Sequence, residues 1–198
     1  HIRSLQQRTG GFTEFVPLPF VHMEAPMYLK GKARRGPSFR EAILMHAVAR
    51  LVFHGLIENI QASWVKMGRE GVAACLKAGV NDLGGSLMNE SITRAAGSGH
   101  GQEWAPELME AQIHAAGRQP RMRTTLYGDA AQERRNAAFN AAPLAAVRGA
   151  SAAKKQRRKR LLAVEKPLGA PEMLEVKWIH ESQDRTVYES VVLMAACN

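Results

Sequence analysis

The first residues of this chain that could do chemistry are His22 and Glu24, which follow an apolar segment. That segment, FTEFVPLPF (12–20), contains two prolines that restrict the backbone. An imidazole can hold or release a proton near neutral pH, and a carboxylate accepts hydrogen bonds from hydroxyl and ammonium groups. His22 is therefore a candidate catalytic residue, and Glu24 is a candidate substrate-binding residue.

Further polar side chains lie within or just after two later β-type segments, NIQASWV (59–65) and VNDLGG (80–85). Amides, hydroxyls and carboxylates suit the hydroxyl, amide and ammonium groups of a polar substrate, whereas a lysine suits an anionic group. The candidate substrate-binding residues, in addition to Glu24, are Gln61, Ser63, Lys66, Asp82, Asn89 and Glu90.

Each candidate also has a structural alternative. His22 could hydrogen-bond a loop carbonyl, and Glu24 could pair with Arg34 or Arg35. The polar groups of the second segment could fill a polar layer of the fold, and the acidic residues of the third region could cap a turn or a helix. Their common position at the ends of β-type segments favours a site.

Other kinds of site lack the pattern that they require. The histidines show no H-x-x-x-H spacing, and the chain contains no G-x-S-x-G or Walker motif. Cys75 and Cys197 are too few for a disulfide framework or a complete metal site. Cys75 lies among helix formers, as a small buried residue would. The sequence predicts no metal ligands in this chain and a reducing compartment.

The segments that must position these residues alternate between strand and helix types. Ser38 and Glu41 form a capping-box pattern at the start of the first long helix. Alternating β and α segments with short connections indicate parallel βα units. We predict strands at 12–18, 59–65, 80–85 and 121–128 and helices at 38–55, 69–79 and 106–117.

The predicted fold class is α/β, and the predicted architecture is the C-terminal part of a TIM-like (β/α) barrel. No G-x-G-x-x-G opens a helix, which disfavours a dinucleotide-binding open sheet. A complete barrel needs roughly 200–250 residues, so residues 1–128 would form half of one. In barrels the loops after the strands carry the active site. The candidate site residues fall in or near these loops.

The remainder of the chain differs in composition. Residues 129–172 are rich in alanine and basic residues and are predicted to be a linker, and residues 173–198 form a tail that could be a β-hairpin. The net charge is +9, and six cationic side chains fall within KKQRRKR (154–160). Such a run could bind nucleic acid, but without interleaved aromatics or a binding fold a solvated linker is favoured.

No apolar run reaches the length of a membrane span, and the first residues lack a secretion signal. The sequence therefore predicts no membrane association. The expected location is the cytoplasm or a plastid.

Several motifs together resemble a known enzyme family. TGGFTEFVPLPFVHMEAPMY, NIQASWVKMG, AGVNDLGGSLMNESITRAAG with HGQE, and PRMRTTLYG occur in order within residues 1–128. They resemble the C-terminal part of FO synthase, in its tyrosine-dependent 4-hydroxyphenyl transferase module. That family belongs to the radical S-adenosylmethionine (SAM) enzymes.

The resemblance implies a transferase of deazaflavin biosynthesis on a radical SAM barrel, with SAM and a 4Fe-4S cluster as cofactors. Its substrates would be L-tyrosine and 5-amino-6-(D-ribitylamino)uracil, and its partners the N-terminal half of the barrel and the ring-closing module. The family's CxxxCxxC cluster motif is absent here, and neither cysteine matches it. The chain would thus supply substrate-facing loops, with the cluster ligands elsewhere. A non-catalytic half-barrel subunit is the alternative.

Overall fold

The structure is a computed structural model that describes residues 1–87, 89–144 and, by backbone only, 193–197. Its elements form one compact unit. The helices are α1 Ile2–Thr9, α2 Pro26–Leu29, α3 Phe39–Val52, α4 Trp64–Lys77, α5 Ile92–Ala95, α6 Pro106–Ala115 and α7 Gln132–Phe139. The strands are β1 Glu14–Phe15, β2 Asn59–Ile60, β3 Asp82–Gly85, β4 Gln119–Arg123 and β5 Leu193–Cys197.

The first three strands run parallel, as the predicted βα units require. Strand β1 pairs with β2 with Phe15 opposite Ile60. The ladder continues one residue later, where Gln61 forms a parallel bridge to Asp82 at the start of β3. Helices α3 and α4 provide the two crossovers between these strands.

The fourth predicted strand differs from expectation in both length and neighbour. Strand β4 ends at Arg123, because residues 124–128 form a turn closed by Thr124 N–H donating to the Gly128 carbonyl at 2.8 Å. Strand β5 lies between β3 and β4 and is antiparallel to both. A strand edge with unpaired N–H and C=O groups accepts such a partner through its backbone.

The tail and linker are described only in part. Helix α7 lies within the predicted linker, whereas KKQRRKR lies outside the described residues. The described part of the predicted tail is β5, which pairs with β3 and β4. The remainder of the predicted hairpin also lies outside the described residues.

The first two strands are shorter than predicted, for identifiable reasons. Pro17 and Pro19 cannot donate to a strand ladder, so β1 stops at Phe15. The predicted strand 59–65 is too long, since helix α4 already begins at Trp64. Trp64 and the residue after it are buried in the helical conformation as well, so their apolar character does not distinguish a strand from a helix.

The core lies on one face of the parallel strands. Phe15 packs on Phe53 with ring centroids 4.9 Å apart, and Ile60 and Leu83 are fully buried. Helix α3 begins with the predicted capping box, in which Ser38 N–H donates to a Glu41 carboxylate oxygen at 2.7 Å. Successive strand residues point to opposite faces, so the residues between these apolar positions form a second, polar face.

In the part of the chain that the structure describes, no helix is both long enough and apolar enough to cross a membrane.

Candidate functional site

The three loops that follow the parallel strands lie in contact. We name them loop 1 (residues 16–37), loop 2 (61–68, including the first turn of α4) and loop 3 (86–105). The Glu24 N–H donates to the Ala96 carbonyl at 2.9 Å, which joins loop 1 to loop 3. The Ser98 hydroxyl approaches the Val65 carbonyl at 3.5 Å, which joins loop 3 to loop 2. The fold therefore brings the predicted site segments together.

In loop 1, His22 is half-buried and has an aromatic neighbour. Its ring meets Tyr28 edge-on, with centroids 4.7 Å apart and planes at 75°. A side chain at Gly36 would collide with the Phe20 carbonyl and would come within 3.2 Å of His22 Nδ1. Gly36 therefore leaves room for the imidazole, while the neighbouring Glu24 side chain is exposed.

In loop 2, Ser63 and Lys66 belong to the start of helix α4 rather than to a strand. Ser63 is the N-cap residue and is buried, but its hydroxyl makes no capping hydrogen bond. Lys66 is half-buried in the first turn. The indole of Trp64 donates to the Gly85 carbonyl at 2.8 Å and so ties this turn to the end of β3.

In loop 3, the two oxygens of the Glu90 carboxylate have different surroundings. Its Oε1 accepts the Thr93 N–H at 2.8 Å. Its Oε2 is buried and has no hydrogen-bond partner among the described residues. Asn89 is exposed, and its Oδ1 lies 3.4 Å from Nη2 of Arg94. The carboxylate of Glu90 thus has one buried acceptor oxygen that no described residue satisfies.

The backbone of loop 3 is strained. Leu87, Asn89 and Gln102 have φ angles of 47°, 56° and 83°, which residues other than glycine rarely adopt. Each such conformation costs on the order of 1–3 kcal/mol, and such residues collect at functional sites. The strained backbone and the unsatisfied oxygen of Glu90 make loop 3 a candidate binding element.

The polar face of the strands carries a second group of residues. Asp82 is completely buried, and its carboxylate accepts hydrogen bonds from the Gly84 N–H at 2.8 Å and from Nε of Arg123. Arg123 Nη2 lies 3.9 Å from Glu14 Oε2, which accepts a hydrogen bond from the Tyr127 hydroxyl at 2.5 Å. We call Glu14, Asp82, Arg123 and Tyr127 the polar-face cluster.

Of the predicted site residues, Asp82 belongs to this cluster and Gln61 lies beside it. A side chain at Gly84 would come within 2.8 Å of the Gln61 amide nitrogen, so the absence of one makes room for that amide. The sequence interpretation missed Glu14, Arg123 and Tyr127. Glu14 and Arg123 each neighbour a core residue within a strand, and this alternation was the signal that could have found them.

Burial sets the proton affinities in the cluster. It raises the pKa of Asp82 above its ordinary value, and the hydrogen bond and charge of Arg123 oppose that shift. Burial also raises the pKa of Tyr127, with a further increase from the hydrogen bond to Glu14. The phenol therefore stays protonated and acts as a donor.

The described residues do not fit an iron–sulfur cluster. Cys75 is fully buried, and burial raises the pKa of its thiol to about 12, so the thiolate that binds iron is disfavoured. Within residues 1–87 and 89–144, no three His, Cys, Asp or Glu side chains are grouped so as to hold a metal ion.

Comparisons with known proteins agree with the resemblance seen in the motifs. Residues 9–135 match the family model described as CofH/MqnC C-terminal region. The chain is 54% identical over 141 residues to an FO synthase of Streptomyces avermitilis, covering 70% of this chain and 16% of that protein.

Two further relatives match the chain over a similar length. The chain is 52% identical over 126 residues to an FO synthase of Mycobacterium tuberculosis strain H37Rv, covering 64% of this chain and 15% of the relative. It is 55% identical over 126 residues to the 5-amino-6-(D-ribitylamino)uracil–L-tyrosine 4-hydroxyphenyl transferase of Methanopyrus kandleri. That alignment covers 64% of this chain and 34% of the relative.

The aligned part spans only about a third or less of these relatives. No solved structure matches the chain. The family model nevertheless covers more than half of its residues, including all three loops and the polar-face cluster. The chain therefore belongs to the CofH/MqnC C-terminal region family.

Proposed function

We propose that this chain is the C-terminal part of a radical SAM transferase that joins the 4-hydroxybenzyl group of L-tyrosine to 5-amino-6-(D-ribitylamino)uracil. The observation that carries the proposal is the convergence of loops 1, 2 and 3, within the residues 9–135 that match the family model. The chain supplies substrate-facing loops, and the parallel strands belong to a (β/α) barrel completed by an N-terminal half.

The cofactors of the intact enzyme would be SAM and a 4Fe-4S cluster, and the cluster ligands would lie outside this chain. SAM would supply the radical that activates tyrosine. The N-terminal half of the barrel and the ring-closing module are the proposed protein partners. The enzyme would work in a reducing compartment, the cytoplasm or a plastid.

Within the site, the residues of this chain bind and orient substrate. Glu24 and Glu90 would accept hydrogen bonds from hydroxyl or ammonium groups, and exposed Asn89 would add an amide. Lys66 at the first turn of α4 would meet an anionic group. Gln61 and Ser63 would contact the uracil or ribityl groups, while Asp82 would keep the neighbouring arginine in place.

His22 is proposed to hold or move a proton as the new bond forms. Its half-buried ring packs edge-on against Tyr28, and an imidazole is a common proton carrier in catalysis.

The test uses the intact enzyme with His22→Ala and Glu24→Ala, assayed separately for adduct formation and for SAM cleavage. We expect adduct formation to fall at least 10-fold, as for a lost hydrogen bond of about 1.4 kcal/mol or more, while the cluster and the fold persist. Arg35→Ala, an exposed change in the same loop, is the matched control. Wild-type turnover in both variants would return these residues to a structural role.

A further inference from the structure

The polar-face cluster holds one carboxylate in an open position. Phe15 of β1 points into the core, where it packs on Phe53. Because strand residues alternate, Glu14 lies on the opposite, polar face. Its side chain is 39% exposed, whereas those of Asp82 and Arg123 are 1% and 4% exposed. Glu14 is thus the accessible member of this charged group.

The charges of the cluster do not balance. One guanidinium, Arg123, faces the two carboxylates of Asp82 and Glu14. Asp82 is the closer partner, since Arg123 Nε donates to it directly, whereas Nη2 stays 3.9 Å from Glu14. The Tyr127 phenol is a neutral donor, so the group keeps one net negative charge at its exposed end. Such a surface favours a cation and opposes an anion.

Two neighbours hold the Glu14 carboxylate in position through one of its oxygens. Oε2 accepts the Tyr127 hydroxyl at 2.5 Å and lies nearest to Arg123. The Arg123 guanidinium in turn lies 4.1 Å from the centre of the Tyr127 ring. Oε1 has no partner among the residues that the structure describes. The result is an oriented carboxylate with one oxygen that is not used by the described residues.

The conformation of Tyr127 is consistent with a functional constraint. Its φ angle is 63°, in the left-handed region that residues other than glycine rarely adopt. The turn that imposes this angle is closed by hydrogen bonds between Thr124 and Gly128. The phenol reaches across 113 positions of sequence to Glu14. A strained conformation of this kind persists only where the surrounding structure holds the residue in place, and such residues are common at functional sites.

We propose that Glu14 binds the ammonium group of the amino-acid substrate, and that Tyr127 and Arg123 are positioning residues that orient its carboxylate. The inference rests on the proposed function, because that function supplies tyrosine as a substrate. An ammonium group fits the site because it is cationic and carries three donors. A charge-assisted hydrogen bond to a carboxylate is among the stronger polar contacts.

The experiment measures dissociation constants of three ligands for the full 198-residue chain by isothermal titration calorimetry. Tyrosine carries both an ammonium and a carboxylate, tyramine lacks the carboxylate, and 3-(4-hydroxyphenyl)propanoate lacks the ammonium. Glu14→Gln keeps the size and an acceptor for Tyr127 while removing the charge. Glu133→Gln, in the exposed first turn of α7, is the control with the same change in net charge.

We expect Glu14→Gln to raise the dissociation constants of tyrosine and tyramine about 10-fold or more, as the loss of a charged hydrogen bond implies. Binding of 3-(4-hydroxyphenyl)propanoate should stay within about 2-fold of wild type, which also shows that the fold persists. Tyr127→Phe should raise the dissociation constants of the same two amines by a smaller factor, about 3-fold to 10-fold. Glu133→Gln should leave all three constants unchanged.

Other outcomes separate the two proposals. If the wild-type chain binds tyrosine and Glu14→Gln binds it equally well, the role of Glu14 is wrong and the proposed function stands. If Glu14→Gln weakens all three ligands equally, Glu14 acts on the fold and the assignment is overturned. If the wild-type chain binds none of the three ligands, the proposed role in tyrosine binding fails, and the assignment of Glu14 fails with it.

Discussion

Arg123 and Asp82 form a buried ion pair across the sheet, although 41 positions separate them in the sequence. The pair links β4 to β3 on the face opposite the core, and both side chains are almost completely buried. Taking two charges out of water is costly, and the cost is recovered only while both partners are present. The arrangement leads to the first prediction.

Arg123→Ala should lower the free energy of unfolding by roughly 3–5 kcal/mol, because it leaves the Asp82 carboxylate buried without its partner. Arg121→Ala is the matched control, since its ion pair with Asp129 is at the surface, where such pairs contribute about 1 kcal/mol or less. Urea unfolding followed by circular dichroism measures both. Equal losses in the two variants would contradict a special role for the buried pair.

Gly68 breaks the regular geometry of α4, with φ 66° and ψ 179°, a conformation almost restricted to glycine. A Cβ atom there would lie 2.5 Å from the His100 ring, so Gly68→Ala should cost both strain and a clash. Gly55→Ala is the control, because Gly55 has φ 69° and a Cβ atom added there would meet nothing within 4 Å. We expect the control to lose about 1–2 kcal/mol and Gly68→Ala to lose more.

Adding His100→Ala to Gly68→Ala should relieve the clash and leave only the backbone strain. Thermal unfolding of the single and double variants separates these two contributions. A double variant no more stable than Gly68→Ala alone would show that the His100 contact is not tight in solution.

His46 should make the stability of the fold depend on pH. It is completely buried in α3, with Nδ1 at 2.7 Å from the Ala42 carbonyl, and burial lowers its pKa below the ordinary 6.5. The unfolded chain therefore binds a proton at a higher pH than the folded chain does. The contribution of neutral His46 to the free energy of unfolding is fully present above pH 6.5. It is lost as the pH falls through 6.5 toward the pKa of the folded state.

The measurement is the midpoint of urea unfolding between pH 7.5 and pH 5. The midpoint should fall as the pH is lowered, and His46→Leu should remove part of this fall. His54→Gln, at an exposed position, should leave the fall unchanged. An identical decline in wild type and His46→Leu would assign the pH dependence to other groups.

The basic run KKQRRKR is predicted to bind polyanions without selectivity. Deleting residues 154–160 should shift elution from heparin to lower salt, since each cationic side chain that contacts an anionic group releases counterions. Deleting residues 163–169, which contain one acidic and one basic residue, is the control. Sequence-selective binding to nucleic acid that resists salt would favour the nucleic-acid alternative.

Much of the fold followed from local signals. The helix at Phe39–Val52 starts at the predicted capping box, and α6 begins with Pro106 at its first position, where proline is favoured. The alternation of strands and helices was sufficient to predict the parallel order of β1, β2 and β3. Strand limits were less accurate, because prolines and burial, not propensity, determine where β1 and β2 end.

The sequence by itself determined the family, through the motifs in residues 9–135, and the position of polar residues after each parallel strand. Only the tertiary structure decided which of those residues meet, because contacts such as Glu24 with Ala96 depend on the folded path of two loops. It also revealed Glu14, Arg123 and Tyr127 as one cluster. A charged residue in a short strand carries no local sign of its partner, since partners from distant strands meet only when the sheet has formed.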